Sequence, residues 1–142
     1  ALTHCNQLKR LYLSNNPSIT TRGWQSLASI LKSPNSNLEE LSIEDNNVDD
    51  EAAAVFVHAV ANNYTLRRIY LDNNPSITAK GWQAFTKVLC DTSSVNATFL
   101  SNHTLRYMGN EIDRNEIMRP LLRLNRRLDK KEVAIIKILQ NH

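Results

Sequence analysis

The residues best suited to chemistry in this chain are its histidines and cysteines. Histidine can serve as a general acid or base, cysteine as a nucleophile, and both bind metals. The four histidines fall at unrelated places, and none lies beside a Ser or Cys in a recognisable nucleophile motif: His4, His58, His103 and His142. Cys5 and Cys90 form no Cys-x-x-Cys pair, so neither a zinc site nor a disulfide framework is indicated.

Phosphate binding and calcium binding are the next candidates. The three glycines, Gly23, Gly81 and Gly109, cannot form a glycine-rich phosphate loop. Seven acids occur without an intervening base: Glu39, Glu40, Glu44, Asp45, Asp49, Asp50 and Glu51. This run lacks the glycine and the ligand spacing of an EF-hand, and its last three members precede a predicted helix, whose dipole favours acids. We therefore expect no enzymatic activity, no cofactor and no metal site.

The C-terminal tail is basic, with nine Lys or Arg against five Asp or Glu in residues 106–142. Five of the bases recur at helical spacing: Arg119, Arg123, Arg126, Arg127 and Lys130. Such a ridge could bind nucleic acid, but no aromatic residue interleaves with it, and Asp129 and Glu132 dilute its charge. We interpret the ridge as a solvated helix face and keep nucleic-acid binding as an alternative.

An internal repeat organises the rest of the chain. Residues 8–27 and 66–85 are identical at 13 of 20 positions, at an offset of 58 residues. Residues 38–46 carry the same skeleton, L-x-x-L-x-L-x-x-N, and a degraded fourth copy is assigned to Val95, Thr98, Leu100 and His103. A fixed period of this length indicates stacked structural units.

This skeleton resembles the leucine-rich repeat, and its length and helical second half are similar to the ribonuclease-inhibitor-type subclass. The resemblance implies an α/β fold: a right-handed solenoid with short parallel strands inside, helices outside and a helical C-terminal cap. It also implies an intracellular, protein-binding role. Some relatives activate GTP hydrolysis, so a regulatory domain acting on a small GTPase is an alternative function.

The predicted organisation is a single domain covering residues 1–142. The repeats are 8–37, 38–65, 66–94 and 95–110, and the cap is 111–142, with a helix broken or kinked at Pro120 and a second helix at 129–140. Val133, Ile136 and Leu139 are expected to face the fourth repeat. Residues 1–7 match the end of a repeat helix, so we expect a fragment of a longer protein whose open first repeat can self-associate.

Local signals refine each repeat. Asn16, Asn46, Asn74 and His103 should form a hydrogen-bonded ladder in the turns, because a buried polar side chain must be paired. The expected helix N-caps are Thr20 or Thr21, Asp49 and Thr78. Trp24 and Trp82 align at helical positions and are expected to pack in or beside the core.

The concave sheet face is the predicted partner site. The period of two places these residues on it: Arg10, Tyr12, Ser14, Glu40, Ser42, Glu44, Arg68, Tyr70, Asp72, Ala97, Phe99 and Ser101. Aromatic residues flanked by arginine are typical anchors of protein interfaces. The simpler interpretation is that Arg10, Glu40 and Arg68 only pair across neighbouring strands. The sequence has no apolar run that could span a membrane. From the cysteine usage and the resemblance we expect a cytoplasmic location, and we expect a non-enzymatic protein that binds a protein partner.

Overall fold

Short parallel strands and helices alternate through residues 10–89. The structure, a computed structural model, describes residues 7–112, 115–127 and 129–142. Three strands form a parallel sheet in the order β1-β2-β3, and a helix follows each strand. The strands are β1 (Arg10–Tyr12), β2 (Glu40–Ser42) and β3 (Arg68–Tyr70), and the helices are α1 (Thr21–Lys32), α2 (Asp50–Ala61) and α3 (Ala79–Leu89).

The core lies between this sheet and the three helices. Leu41 and Ile69 enter it from the strands, Phe56 and Phe85 enter it from the helices, and all four side chains are fully buried. Trp24 is buried as predicted, with its ring centroid 5.9 Å from that of Phe56. Each such side chain contributes about 1.5–3 kcal/mol on burial. Strands of three residues are thus held mainly by packing between neighbouring repeats.

The asparagine ladder is confirmed in the turns after the strands. Asn46 Nδ2 donates to the carbonyl oxygens of Leu13 (3.0 Å) and Glu44 (2.9 Å), and its Oδ1 accepts from the Asn16 N–H (2.9 Å). One repeat later, Asn74 Nδ2 donates to the carbonyl oxygens of Ile43 and Leu71, and its Oδ1 accepts from the Val48 N–H. The residue before each ladder position has a left-handed backbone, with φ of 58°, 53° and 57° at Asn15, Asp45 and Asn73. Asn and Asp adopt that conformation more readily than other non-glycine residues.

The predicted N-caps are confirmed for α2 and α3, whereas Thr20 occupies the N-cap position of α1 without a side-chain capping hydrogen bond. Asp49 caps α2 by accepting from the Ala52 N–H at 2.9 Å, and Thr78 caps α3 by accepting from the Lys80 N–H at 3.2 Å. Gly81 lies in the first turn of α3, where a Cβ atom would stand 2.8 Å from Cγ2 of Ile77. A small residue is therefore required at this position, so that α3 can pack closely against the segment around Ile77 that precedes it.

The fourth strand was assigned to the wrong residues. Val95–Leu100 form a helix, α4, whose N-cap Ser94 accepts from the Ala97 N–H at 3.0 Å. The segment that extends the sheet comes later: Tyr107 forms a parallel bridge with Arg68, and the Arg106 N–H donates to the Arg67 carbonyl at 2.8 Å. The helix was missed because V-x-x-T-x-L satisfies the apolar spacing of a strand unit but also that of a capped helical turn.

A second set of asparagines explains the true position of the fourth unit. Asn63 Oδ1 accepts from the N–H groups of Thr65 and Leu66, and Asn102 Oδ1 accepts from those of Thr104 and Leu105. The motif Asn-x-Thr-Leu-Arg occurs at residues 63–67 and again at 102–106, which is the signal that sequence reasoning overlooked. His103 is therefore not a member of the first ladder; the ladder prediction is wrong at that position.

Two helices complete the described chain, α5 (Met118–Arg127) and α6 (Lys130–Asn141). The expected helix from residue 111 starts instead at Met118, because Asn115 Oδ1 accepts from the N–H groups of Ile117 and Met118. Pro120 lies in the first turn, where a missing N–H costs no helical hydrogen bond, so it does not break the helix. Asp129 caps α6 as predicted, in a capping box with Glu132. α5 packs on α3 and α6, and α6 also packs on α4.

The first repeat is less covered than the second and third. Leu8, Leu11, Leu13 and Ile19 are only half-buried, whereas their counterparts in the second repeat are fully buried: Leu38, Leu41, Ile43 and Val48. Residues 1–6, which belong to the predicted helix remnant, lie outside the described residues. Within the described ranges, no helix has the length and apolar character that a membrane span requires.

Candidate partner-binding site on the open sheet face

The sheet face turned away from α1–α3, here called the open sheet face, collects nine of the predicted site residues. The strand register sets Arg10, Glu40 and Arg68 side by side and Tyr12, Ser42 and Tyr70 beside them. Two residues further along each chain segment lie Ser14, Glu44 and Asp72, which form the third row. Residues at the same position of successive repeats therefore lie side by side and form one row across the sheet.

Glu40 is the centre of the first two rows. Its carboxylate is buried and accepts from Tyr12 Oη at 3.0 Å and from Arg68 Nη1 at 2.9 Å, while Arg10 Nε lies 4.0 Å away. Burial by itself would raise the pKa of Glu40, but the hydrogen bonds from Arg68 and Tyr12 outweigh it, so this pKa lies below its ordinary value. Arg10, Glu40 and Arg68 therefore do pair across neighbouring strands.

Pairing does not remove the basic and aromatic side chains from solvent. The side chains of Arg10 and Arg68 remain 68 % and 53 % exposed, and Tyr12 is 59 % exposed. The hydrogen bond to Glu40 raises the pKa of Tyr12 and fixes where its hydroxyl points. The ring of Tyr12 is therefore held in place while its faces stay accessible.

The third row is acidic and hydrogen-bonded. Ser42 Oγ donates to Glu44 Oε2 at 2.9 Å, so the 2.6 Å bond between Ser14 Oγ and Ser42 Oγ has Ser14 as its donor. Burial, followed by the charges of Asp72 and Asp45, raises the pKa of Glu44. The charges that raise the pKa of Glu44 are therefore acidic neighbours on the same side of the sheet.

Asp72 has a structural task that the sequence did not reveal. Its two carboxylate oxygens accept from the N–H groups of Asn110 and Glu111, both at 2.9 Å. Gly109, at a φ of 115°, brings the chain so close that an added Cβ would lie 2.8 Å from this carboxylate. Asp72 thus ties the segment after Tyr107 to the third repeat.

Three predicted site residues are not on this face. Ala97 and Phe99 lie within α4, and Ser101 ends it, with its Oγ donating to the Ala97 carbonyl at 3.0 Å and accepting from the Asp91 N–H at 2.9 Å. Their assignment to the sheet is wrong because the fourth strand was placed about ten residues too early. Phe99 is exposed, but on the helix α4 rather than beside Tyr70.

The residues that sequence reasoning missed come from the fourth unit and α5. The rings of Tyr70 and Tyr107 meet with centroids 5.0 Å apart and an interplanar angle of 59°. The Arg126 guanidinium lies 5.7 Å from the Tyr107 centroid, and its Nε donates to the Arg106 carbonyl at 2.7 Å. The basic ridge is therefore not only a solvated face, because Arg126 contacts an aromatic residue distant in sequence.

Arg68, Tyr70, Tyr107 and Arg126 form a basic-aromatic corner of the open sheet face. A tilted aromatic pair and an arginine over a ring are each worth about 0.5–1 kcal/mol at partly exposed sites. Such contacts hold large flat side chains in one arrangement. A partner that docks here meets a surface that is already ordered.

A buried lysine lies away from this face, where α6 meets α3 and α5. Lys137 Nζ has four neutral neighbours: the carbonyl oxygens of Leu89 (2.6 Å) and Asn102 (3.3 Å), Asn125 Oδ1 (3.1 Å) and His103 Nδ1 (3.1 Å). Burial lowers the pKa of Lys137 from 10.5 to about 8. The lysine ties α6 to three other parts of the chain.

The geometry around His103 fixes its neutral tautomer. Nε2 lies 3.1 Å from the Phe99 carbonyl oxygen, which can only accept, so Nε2 carries the proton. Nδ1 faces the Lys137 ammonium and must therefore accept. Burial, and then the charge of Lys137, lowers the pKa of His103 from 6.5 to about 4.

A groove of about 510 Å³ on the helix side is a competing cavity. Its walls are mostly small or apolar: Ala54, Val57, Ala84, Val88, Ala97 and Leu100. Its Lys87 is 3.7 Å from Asp91 and so already has a partner. The part of the chain that the structure describes holds no group of three or more His, Cys, Asp or Glu placed to bind a metal. The open sheet face is therefore the richer site for recognition.

Fold and site together define an α/β repeat protein whose parallel sheet displays rows of charged and aromatic side chains. The family model described as Leucine Rich repeat matches residues 4–28 and 35–57, which contain β1 and β2. These two matches support a leucine-rich repeat protein, a class whose domains generally mediate protein–protein interaction and are typically non-enzymatic. A comparison with curated proteins finds no match.

Proposed function

We propose that this chain is a non-enzymatic binding module that recognises a protein partner on the open sheet face. We further propose the ribonuclease-inhibitor-type subclass and a right-handed solenoid, concave on that face and capped by the C-terminal helices. The length of the repeats and the helix that follows each strand support this assignment. Cys90 is a free, buried thiol, which agrees with a reducing compartment such as the cytoplasm.

The main observation in support of the proposal is that Tyr12 is exposed to solvent but held in a fixed position. Its ring is 59 % exposed, yet its hydroxyl is held by Glu40. Ordering a free side chain on binding costs about 0.5–1.5 kcal/mol, and an aromatic residue already held in place avoids part of that cost. Tyrosine and arginine are also the residues that most often dominate binding energy at protein interfaces. Tyr12 and the basic-aromatic corner lie on the same sheet and together supply both tyrosine and arginine side chains.

The test begins with capture of the partner from extract of the native cell by the wild-type chain, followed by calorimetric titration. Tyr12→Ala combined with Tyr70→Ala should weaken binding by about 2 kcal/mol or more. Tyr64→Ala is the matched control, because Tyr64 is 57 % exposed and lies between α2 and β3, where Lys130 Nζ is 4.8 Å from its ring centroid. An unchanged affinity in the double variant, with its fold intact, would place the site elsewhere.

The small-GTPase and nucleic-acid alternatives are not proposed. The first depends on family analogy alone, and the second is one outcome of the experiment below. If the purified chain stimulated GTP hydrolysis by a small GTPase, the small-GTPase alternative would be favoured instead.

A further inference from the structure

The two ends of the strands on the open sheet face carry opposite charge. Six bases lie at the strand starts and beside them: Lys9, Arg10, Arg67, Arg68, Arg106 and Arg126. The acids there are Glu39 and Glu40, each shared between two bases. The turns that follow the strands, residues 14–18, 44–48 and 72–76, contain Glu44, Asp45 and Asp72 but no Lys or Arg. The face is therefore basic along one edge and acidic along the other.

The distance between the two edges is set by the strand. Arg68 and Asp72 are four residues apart, which corresponds to about 13 Å in an extended chain. An extended segment that crosses the face along the strands would cover that distance with four residues of its own. Charges of opposite sign at that spacing would meet both edges together.

We propose that the partner presents an extended polypeptide segment in which acidic residues lie about four positions from basic residues. The acidic side chains contact the basic-aromatic corner, and the basic side chains contact the acidic edge at Glu44 and Asp45. This inference rests on the proposed function and specifies the chemistry of the partner at that same site.

Individual side chains at the two edges support this placement of acidic and basic partner residues. Arg106, whose carbonyl accepts from Arg126 of the corner, has a buried Nε that makes no hydrogen bond within the described ranges. At the other edge, burial, followed by the charges of Asp72 and Asp45, raises the pKa of Glu44. A lysine or arginine from the partner would stabilise the ionised form of Glu44.

A polypeptide fits this pattern better than a nucleic acid. A phosphodiester backbone carries negative charge at every step. One strand lying on the basic corner would bring further phosphates over Glu44, Asp45 and Asp72, well within the Debye length of about 8 Å at physiological salt. A segment of mixed charge avoids that repulsion, because its charge changes sign where the face does.

Two synthetic peptides of identical composition test the inference. The ordered peptide contains Glu-Glu-Ser-Thr-Lys-Lys, and the scrambled peptide contains Ser-Glu-Lys-Lys-Glu-Thr, in which every Glu–Lys separation is at most two positions. Both are titrated into the isotope-labelled chain by NMR, together with a short oligothymidine, at about 20 mM and about 150 mM salt. The ordered peptide should bind about fivefold more tightly than the scrambled one, the size expected of two exposed charge pairs.

Charge-removing variants identify the surface. Arg67→Gln with Arg68→Gln should abolish the preference for the ordered peptide, and Glu44→Gln with Asp45→Asn should reduce it at the other edge. Arg22→Gln with Lys80→Gln is the matched control, because both residues are exposed on the helix side and the same charge is removed. NMR spectra of each variant report whether its fold is retained.

Equal binding of the two peptides would overturn the inference, as would an equal loss of the preference in the control. Tighter binding of the oligothymidine than of the ordered peptide at about 150 mM salt would favour a nucleic-acid surface instead. If the peptides bind equally while Tyr12→Ala with Tyr70→Ala still removes the captured partner, this inference fails and the proposed function stands. If the ordered peptide is preferred but that double variant keeps the partner, the proposed function fails.

Discussion

Acidification should destabilise the fold where α6 meets the rest of the chain, because His103 and Lys137 cannot both be charged at low cost. Protonating His103 Nδ1 would replace an acceptor by a donor 3.1 Å from the lysine Nζ. The perturbation is a fall in pH from about 7 to about 5, a range that brackets the ordinary pKa of histidine. Asp91 and Glu40 have lowered pKa values, so they titrate mainly below this window.

The sign and the magnitude follow from the pKa of His103. It falls from 6.5 to about 4 on folding, so its contribution is fully present above pH 6.5 and is lost as pH falls towards 4. A shift of that size corresponds to a ceiling of about 3.4 kcal/mol at 1.36 kcal/mol per pKa unit. Because His103 is only half-buried, we expect solvent to reduce this to about 2 kcal/mol over the whole range, with about half of it lost by pH 5.

The assay is urea unfolding at closely spaced pH values for wild type and two variants. His103→Gln removes the titrating group and should flatten the profile between about pH 7 and 5. Lys137→Met removes the opposing charge and should also reduce the slope. His58→Gln is the control, because His58 is exposed on α2. Parallel profiles for wild type and His103→Gln would refute the reasoning, whatever the absolute stabilities.

Two further predictions concern the repeats. Asn46→Ala removes the partners of two carbonyl groups and one N–H. It should cost about 3 kcal/mol in urea unfolding, against at most about 1 kcal/mol for the exposed Asn47→Ala; similar losses for the two would contradict the ladder's role. If the half-buried first repeat mediates self-association, sedimentation velocity should show concentration-dependent growth that Leu11→Lys suppresses. A wild-type chain that stays monomeric at all concentrations would exclude it.

The partner face could be predicted from sequence only where the repeat pattern was regular. The period of two selects Arg10, Tyr12, Glu40 and their repeats because side chains alternate between the faces of a strand. The fourth strand could not be placed in this way, since residues 95–100 satisfy two patterns and only hydrogen bonds to the third repeat choose between them. The pairing of Tyr70 with Tyr107 depends on that choice, and Arg126 reaches Tyr107 only because α5 folds back.

The sequence by itself determined the first three repeats, their turn asparagines and the caps of α2, α3 and α6, because each has a local sequence pattern. Asp49, for example, caps α2 through a neighbour three residues away. Tertiary structure decided which face of α6 is buried. The apolar pattern favoured Val133, Ile136 and Leu139, but Leu139 is exposed and Lys137 is fully buried.

No local pattern could predict that a lysine would be buried. Removing a charge from water is unfavourable unless polar groups replace the water. Around Lys137 those groups come from Leu89, Asn102, His103 and Asn125. They converge only when α3, the fourth repeat, α5 and α6 are all in place, so the burial of this lysine is a property of the assembled fold.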